Sequence, residues 1–235
     1  MSTYVLVHGA FEGGWVWDKV VPLIENGGHR VLAPDLPGHG GDKTPTTEVT
    51  LQLYVDRICA VLDAQPEPVI LVGHSMAGVV ITQVAEHRPH RIRKLVYLAA
   101  FLPQDGQSAL DFREADSLTE KNIILADDDR TFTVRQEANQ EINFEDCPAE
   151  DVARAKTLSV PQAIAPLVTA VKTTSKNFGR VPRVYITCLK DKALSPEMQK
   201  KMYTALVCEK VITMDTSHFP LFSAPDALAD HLMAL

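Results

Sequence analysis

The sequence predicts a doubly wound α/β fold in which six parallel strands form one sheet and a helical cap is inserted after the fourth strand. Three observations support this prediction. Short apolar runs rich in β-branched residues recur along the chain without polar alternation, so each strand should be buried on both faces. Segments of helical periodicity separate most of these runs, as parallel strands require. The length of 235 residues suits one sizeable domain rather than two.

The elements can be placed in chain order. The predicted strands cover residues 4–7, 29–33, 68–72, 94–99, 182–188 and 210–214, and the predicted helices cover residues 17–26, 51–64, 77–87, 196–206 and 225–235. Residues 104–180 are too many for a simple crossover, so we predict a cap insertion there, with residues 1–103 and 181–235 forming the core. Within the cap, residues 158–168 are apolar enough to face a pocket. The acidic patches at 127–129 and 141–146 are interpreted as solvated helix ends or loops.

Composition excludes several classes of function. With 46% hydrophobic residues and no apolar run near the ~18 residues of a membrane span, no membrane partner is expected. A net charge of −7 without any basic run argues against nucleic-acid binding. The four cysteines are scattered and contain no Cys-x-x-Cys pair, which indicates buried thiols rather than a metal site or disulfides. The N-terminus has no signal-peptide pattern, so a cytoplasmic protein is expected.

Ser75 is the candidate nucleophile. It lies in residues 70–78, Ile-Leu-Val-Gly-His-Ser-Met-Ala-Gly, where a strand pattern changes to a helix pattern. Such a turn is typical of a nucleophile elbow, which exposes a serine hydroxyl to a base and to oxyanion donors. The usual motif is Gly-x-Ser-x-Gly, whereas here Ala77 takes the last position and Gly78 follows it. A serine between glycines is by itself more often only a turn, so a base and an acid must lie at the same edge of the sheet.

His218 is the candidate base because it alone of the eight histidines lies between the last strand and the C-terminal helix. His8 more plausibly shapes a loop, and His74 is interpreted as a packed neighbour of the nucleophile. The favoured acid is Asp191, which follows the fifth strand and can orient the Nδ1–H of a histidine from the next loop. The alternatives are Asp105, after the fourth strand, and Asp215, just before the histidine.

Ser75, Asp191 and His218 resemble the triad of the α/β-hydrolase superfamily, in which serine, acid and histidine follow in this order. Residues 5–17, Val-Leu-Val-His-Gly-Ala-Phe-Glu-Gly-Gly-Trp-Val-Trp, together with 34–40 and 97–103, are similar to one branch of it. That branch holds plant methyl esterases, the salicylate-binding esterase, hydroxynitrile lyases and bacterial esterase relatives. The resemblance covers essentially the whole chain. It implies a serine esterase without metal or organic cofactor, whose oxyanion hole is formed by the backbone N–H groups of Ala10 and Met76.

Two other functions are open on the same scaffold: a hydroxynitrile lyase and a non-catalytic receptor for a small ligand. The (S)-selective lyases of this branch carry a threonine after the first-strand histidine and a lysine after the catalytic histidine. This chain has Gly9 and Phe219 at those places, and Gly9 likewise does not support the asparagine-bearing (R)-selective type, so an esterase is favoured. The intact serine, aspartate and histidine argue against a receptor. Glu12 stands where the plant enzymes commonly carry histidine, and a carboxylate near the pocket mouth is expected to disfavour anionic substrates.

The expected substrate is a small to medium carboxylic ester, with aryl and methyl esters included and long polymers excluded. An apolar pocket beneath the cap is predicted, and its candidate lining residues lie beside the motif loops or in the cap: Gly9, Phe11, Met76, Phe101, Leu102, Phe132, Ile164, Leu167 and Phe219. The sequence is also compatible with a homodimer.

Overall fold

The computed structural model describes residues 1–235 and contains nine strands and ten α-helices. The strands are β1 (Thr3–Val7), β2 (Arg30–Leu32), β3 (Val69–His74), β4 (Ile92–Leu98), β5 (Ile123–Leu125), β6 (Thr131–Val134), β7 (Gln162–Ala163), β8 (Arg183–Cys188) and β9 (Lys210–Met214). The helices are α1 (Val21–Asn26), α2 (Leu51–Asp63), α3 (Ala77–His87), α4 (Leu118–Lys121), α5 (Gln136–Asn143), α6 (Ala149–Leu158), α7 (Ala165–Val168), α8 (Pro196–Ala205), α9 (Pro220–Ser223) and α10 (Pro225–Met233). No helix combines the length and the apolar character that crossing a bilayer would require.

Six strands form one fully parallel sheet in the order β2-β1-β3-β4-β8-β9. Every residue of β3 is buried, as its continuous apolar sequence predicts for a strand covered on both faces. In register, Leu71 of β3 lies opposite Val5 of β1 and Leu95 of β4. The predicted six-stranded parallel sheet is therefore confirmed.

Helices cover both faces of this sheet. Alternate residues of β1 point to opposite sides, so that Val5 and Val7 join one apolar cluster while Tyr4 and Leu6 join another. The first cluster contains the buried faces of α2 and α3, and the second contains those of α1 and α10. This arrangement is the predicted doubly wound fold. It brings the carboxyl ends of β3, β8 and β9 to one edge of the sheet, where ligands bind in such folds.

The segment between β4 and β8 differs from the helical cap predicted for it. It contains α4 to α7, but also a three-stranded antiparallel sheet of β5, β6 and β7. Two of these strands have only three and two residues, too few for a period-2 pattern to stand out. Parts of the segment also belong to the main core, since Phe112, Val171 and Phe178 are buried in the cluster against α2 and α3. The boundaries of 104–180 stay a prediction.

Candidate active site

The turn between β3 and α3 holds Ser75 in a left-handed backbone conformation with φ of +54°. For a residue with a side chain this conformation is strained, and the surrounding backbone must hold it in place. The Ser75 N–H donates to the carbonyl of Leu98, and the carbonyl of Ser75 accepts from the N–H of Phe101, both at 3.2 Å. The end of β4 therefore fixes the serine turn.

The departure of this turn from the usual motif has a steric explanation. A side chain at Gly78 would come within 1.9 Å of the Phe101 carbonyl oxygen, so only glycine fits there. Ala77, at the last position of the motif, is fully buried, so the turn has room for its methyl group. The close approach of backbone to backbone in this turn therefore occurs at Gly78, and alanine is compatible with the strand–turn–helix geometry at position 77.

Ser75, His218 and Asp191 form a continuous chain of hydrogen bonds. The Nε2 atom of His218 lies 2.9 Å from Ser75 Oγ, and its Nδ1 atom lies 2.7 Å from Asp191 Oδ2. His218 and Asp191 are both buried. The two alternative acids lie elsewhere: Asp105 accepts from the N–H of Thr173, and the exposed Asp215 pairs with Lys190.

Asp191 is held in place by three further donors. Its Oδ1 accepts the backbone N–H groups of Ala193 at 2.8 Å and Leu194 at 2.9 Å, and its Oδ2 accepts from Gln199 Nε2 at 2.9 Å. Gln199, on α8, is fully buried and was not anticipated from the sequence. Its only sequence signal is a polar residue on the inward face of a predicted helix, which is weak evidence by itself.

The environment of His218 favours its protonated form. Burial lowers the pKa of this imidazole, but the charge of Asp191 and the hydrogen bond to it outweigh burial, so the pKa is raised above its ordinary value of 6.5. His8 differs because burial lowers its pKa to about 3. As a neutral side chain it donates from Nδ1 to the Gly9 carbonyl and accepts the Leu36 N–H at Nε2. This histidine shapes the loop after β1.

The backbone N–H groups of Ala10 and Met76, which lie at this edge, have no acceptor within the protein. The neighbours of Ala10 are bonded: the Gly9 N–H donates to Glu12 Oε2 at 3.1 Å, and the Phe11 carbonyl accepts the Val160 N–H at 2.9 Å. The loop after β1 is therefore held on both sides of a free amide.

Glu12 lies deeper than the sequence analysis predicts. It is only 5% exposed, and its side chain accepts the Gly9 N–H of the loop that carries it, although it still lines the cavity above Ser75 and His218.

A cavity of about 280 Å³ opens above Ser75 and His218. Phe11 and Phe219 line it as predicted, whereas Gly9, Met76, Phe101, Leu102, Phe132, Ile164 and Leu167 do not. The reason is that the sheet and α3 bury several of these side chains: Met76 and Leu102 belong to the cluster around α2 and α3, and Phe101 and Leu167 pack against it.

Besides the apolar residues Ile124, Val134, Phe144, Val160 and Pro161, one stretch of the cavity wall is polar, which the sequence did not reveal. It comprises Gln136, Asn139 and Asn143 of α5 together with Lys156 and Ser159. Residues 136, 139 and 143 have the spacing of one helical face, but polar residues at that spacing usually indicate a solvated surface. From the apolar stretch 158–168 only the short run 159–161 reaches the cavity.

Residues 4–231 match the model of the alpha/beta hydrolase family. The chain belongs to this family. It is 32% identical to Methylesterase 2 of Arabidopsis thaliana over 99% of this chain and 95% of the relative. Among solved structures, polyneuridine aldehyde esterase superimposes with a TM-score of 0.90 at 27% identity, covering 100% of this chain and 98% of that one. A pyrethroid hydrolase from Sphingobium faniae JZ-2 gives a TM-score of 0.90 at 30% identity, covering 99% and 96%. At the level of enzyme class, the prediction of a carboxylic ester hydrolase is confirmed.

Proposed function

We propose that the protein hydrolyses carboxylic esters through an acyl-enzyme on Ser75. The observation that carries this proposal is the unbroken hydrogen-bond chain from Ser75 through His218 to Asp191. Ser75 Oγ attacks the ester carbonyl while His218 Nε2 takes its proton and then passes it to the leaving alcohol. Water, activated by the same imidazole, cleaves the acyl-enzyme. Asp191 keeps Nδ1 protonated and stabilises the imidazolium that forms in both steps.

The free N–H groups of Ala10 and Met76 are the proposed oxyanion donors. The carbonyl oxygen of the ester becomes an alkoxide in the tetrahedral intermediate, and donors already in place stabilise it without reorganisation. Each donor of this kind contributes on the order of 3 kcal/mol. The bonds that hold the Gly9–Glu12 loop support this role, because they fix one amide where it has no competing acceptor.

We further propose that the substrate is a small to medium ester, with methyl and aryl esters included. A cavity of about 280 Å³ supports this size limit. The similarity to a methylesterase, to polyneuridine aldehyde esterase and to a pyrethroid hydrolase also supports a compact ester. The polar wall on α5 supports a substrate that carries a hydrogen-bonding group away from the reacting carbonyl.

No specific observation favours the lyase. The residue after His218 is Phe219, whose ring packs edge-on to the imidazole with centroids 5.7 Å apart, and so provides no cation for a departing cyanide. Gly9 leaves no hydroxyl at the other position. A receptor function is disfavoured because Ser75, His218 and Asp191 are aligned for proton transfer.

A cytoplasmic location and a homodimer, both expected from the sequence, stay predictions. The first is supported by the state of the four cysteines, all of which are free thiols.

A fluorophosphonate probe, which phosphonylates activated serines, tests the proposed nucleophile. We expect labelling of the wild-type protein and of Ser159→Ala, but none of Ser75→Ala. Ser159 is a matched control because it lines the same cavity while its hydroxyl donates to the Ala155 carbonyl. An unlabelled wild-type protein, or a labelled Ser75→Ala variant, would refute the proposal.

Parallel assays with p-nitrophenyl acetate and mandelonitrile distinguish an esterase from a lyase. Cyanide release without ester turnover would favour the lyase instead of the esterase.

A further inference from the structure

His74 and Glu12 are two buried titratable side chains that the proposed mechanism does not use. His74 ends β3 beside the nucleophile and is fully buried. Its Nε2 lies 2.9 Å from the backbone carbonyl of His218, which can only accept, so Nε2 carries a proton. The other ring nitrogen, Nδ1, has no hydrogen-bond partner, and Glu12 Oε2 lies 3.8 Å from it.

Keeping both the Glu12 carboxylate and the His74 Nδ1 atom without a proton is unfavourable in free energy. A neutral imidazole protonated on Nε2 presents a lone pair at Nδ1, and an ionised carboxylate also presents only lone pairs. A buried acceptor facing another acceptor loses its interaction with water and gains nothing in return. One proton between the two atoms turns this repulsion into a charge-assisted hydrogen bond after an approach of about 1 Å.

The pair lies directly beside the proposed reaction centre. A side chain at Gly9 would come 3.0 Å from Ser75 Cβ, 3.2 Å from His74 Nδ1 and 3.3 Å from Glu12 Oε2, so all three groups surround this glycine. The same Oε2 atom accepts the Gly9 N–H. The carboxyl group of Glu12 therefore connects β3 to the loop that presents the Ala10 amide.

We propose that Glu12 and His74 hold one proton between them, and that this pair positions the loop after β1 so that the Ala10 N–H faces the oxyanion. The inference rests on the roles proposed for Ser75 and Ala10. Glu12 is a positioning residue here, because it acts on the reacting atoms through Gly9 and Ala10.

The shared proton also keeps negative charge away from the oxyanion. An unshared carboxylate at this place would repel the charge that develops on the ester oxygen. The other titratable groups around the pair are His39, His8 and His218, and Lys156 lines the same cavity as Glu12. Burial lowers the pKa of His39 and of His8, so both are neutral, and His218 is engaged with Asp191. Glu12 forms no ion pair with a lysine or arginine, so one proton taken up from water and held between Glu12 and His74 compensates the charge of the carboxylate.

Two substitutions of Glu12 separate its positioning role from its charge. Because Glu12 Oε2 makes both contacts, Gln at this position can keep only one of them, either its oxygen accepting the Gly9 N–H or its NH₂ group donating to His74 Nδ1, so Glu12→Gln should lower kcat less than Glu12→Ala does. Glu12→Ala releases the loop and should lower kcat at least about tenfold, with a smaller change in KM. Glu67→Gln, which neutralises an exposed carboxylate, is the control and should have no effect. A fully active Glu12→Ala, or a Glu12→Gln as impaired as Glu12→Ala, would overturn the proposal.

The pH profile tests the shared proton. An unshared Glu12 carboxylate would raise the pKa of His218, so its removal would shift the acid limb of kcat/KM to lower pH. If the proton is shared, Glu12→Gln should leave that limb within about 0.3 pH units of wild type. A shift of a full unit or more would show an unshared anion and contradict the proposal.

A measurement that does not depend on turnover distinguishes failure of this inference from failure of the esterase proposal. In the protein labelled with ¹⁵N-histidine, the His74 Nδ1 resonance should be that of a protonated or hydrogen-bonded nitrogen near neutral pH. In Glu12→Ala it should become that of a bare nitrogen. A bare Nδ1 in the wild-type protein would refute the shared proton, even if the fluorophosphonate labels Ser75. A protonated or hydrogen-bonded Nδ1 in a protein that the fluorophosphonate does not label would refute only the esterase proposal.

Discussion

Asp191 illustrates how the bonds around a single residue fix its role. Its Oδ1 faces the N–H groups of Ala193 and Leu194, and both of these donors require an oxygen there. An asparagine at this position would keep its oxygen on that side and turn its NH₂ group toward His218. The amide would then donate to Nδ1 and force the imidazole into the Nε2–H tautomer, which cannot accept the proton of Ser75.

Asp191→Asn should therefore lower kcat by about 10⁴ while the protein stays folded, as measured by steady-state ester hydrolysis and circular dichroism. Asp105→Asn and Asp215→Asn are the matched controls, because neither carboxylate contacts His218. Both controls should change kcat less than about twofold. A comparable loss in Asp105→Asn would return that residue to the triad.

The pH dependence of the reaction follows from the surroundings of His218. The Asp191 carboxylate stabilises the imidazolium, and the pKa of His218 is raised although burial acts in the opposite direction. The base must be neutral to accept the serine proton, so kcat/KM should rise with pH through this raised pKa. The acid limb, measured from about pH 5 to about pH 9, should have its midpoint above the ordinary histidine value of 6.5. A midpoint below it would mean that burial dominates.

For single residues, the sequence predicts the reacting side chains better than the side chains that hold them in place by hydrogen bonds. Ser75 and His218 stand at positions defined by short motifs and by the order of strands, and both can be read along the chain. Gln199 and His74 become informative only through partners distant in sequence, Asp191 and the His218 carbonyl. A buried polar residue has no local signature that distinguishes it from an exposed one.

Among the elements, the segment from α5 to α6 connects the cap to two active-site loops. The loop carrying His218 is bonded at Ser217, whose N–H donates to Asp146 Oδ2 at 2.8 Å and whose hydroxyl donates to Oδ1. The loop carrying Asp191 is contacted by Lys192, which pairs with Glu141 at 3.0 Å and Glu145 at 2.8 Å. The acidic patch 141–146, interpreted from sequence as solvated, therefore contacts both loops.

Asp146→Ala should lower kcat about tenfold with little change in KM, because the backbone beside His218 loses two hydrogen bonds and the imidazole is less well oriented. Glu145→Gln should have a smaller effect, since an exposed ion pair contributes only about 0–1 kcal/mol. Asp127→Ala, in the other acidic patch, is the control. Steady-state kinetics and thermal unfolding of the three variants test whether the loss of kcat is largest in Asp146→Ala, smaller in Glu145→Gln and absent in Asp127→Ala. Equal activity of Asp146→Ala and Asp127→Ala would show that the cap does not orient the base.

Across the whole molecule, the central sheet was predictable and the cap only in part. Parallel strands buried on both faces have continuous apolar sequences, and the helical segments between them indicate a parallel sheet, so the six strands could be located along the chain. In the cap, the short strands β5 and β7 are stabilised by pairing with β6 rather than by their own sequence. Pairing between residues as distant as Thr131 and Ala163 is a tertiary contact, and no local pattern records it.

The cavity lies where cap and sheet meet, so its selectivity depends on both. Asn139 of α5 lines the cavity and accepts a hydrogen bond from Asn143, which leaves its NH₂ group available to a substrate. Asn139→Leu should lower kcat/KM about tenfold for an ester whose acyl chain ends in a hydroxyl, relative to the unsubstituted ester. Gln140→Leu alters the adjacent residue, which is exposed and does not line the cavity, and should leave this ratio unchanged. Because the ratio compares two esters on one variant, a general loss of folding cancels, and an unchanged ratio in Asn139→Leu would mean that substrates do not reach the polar wall.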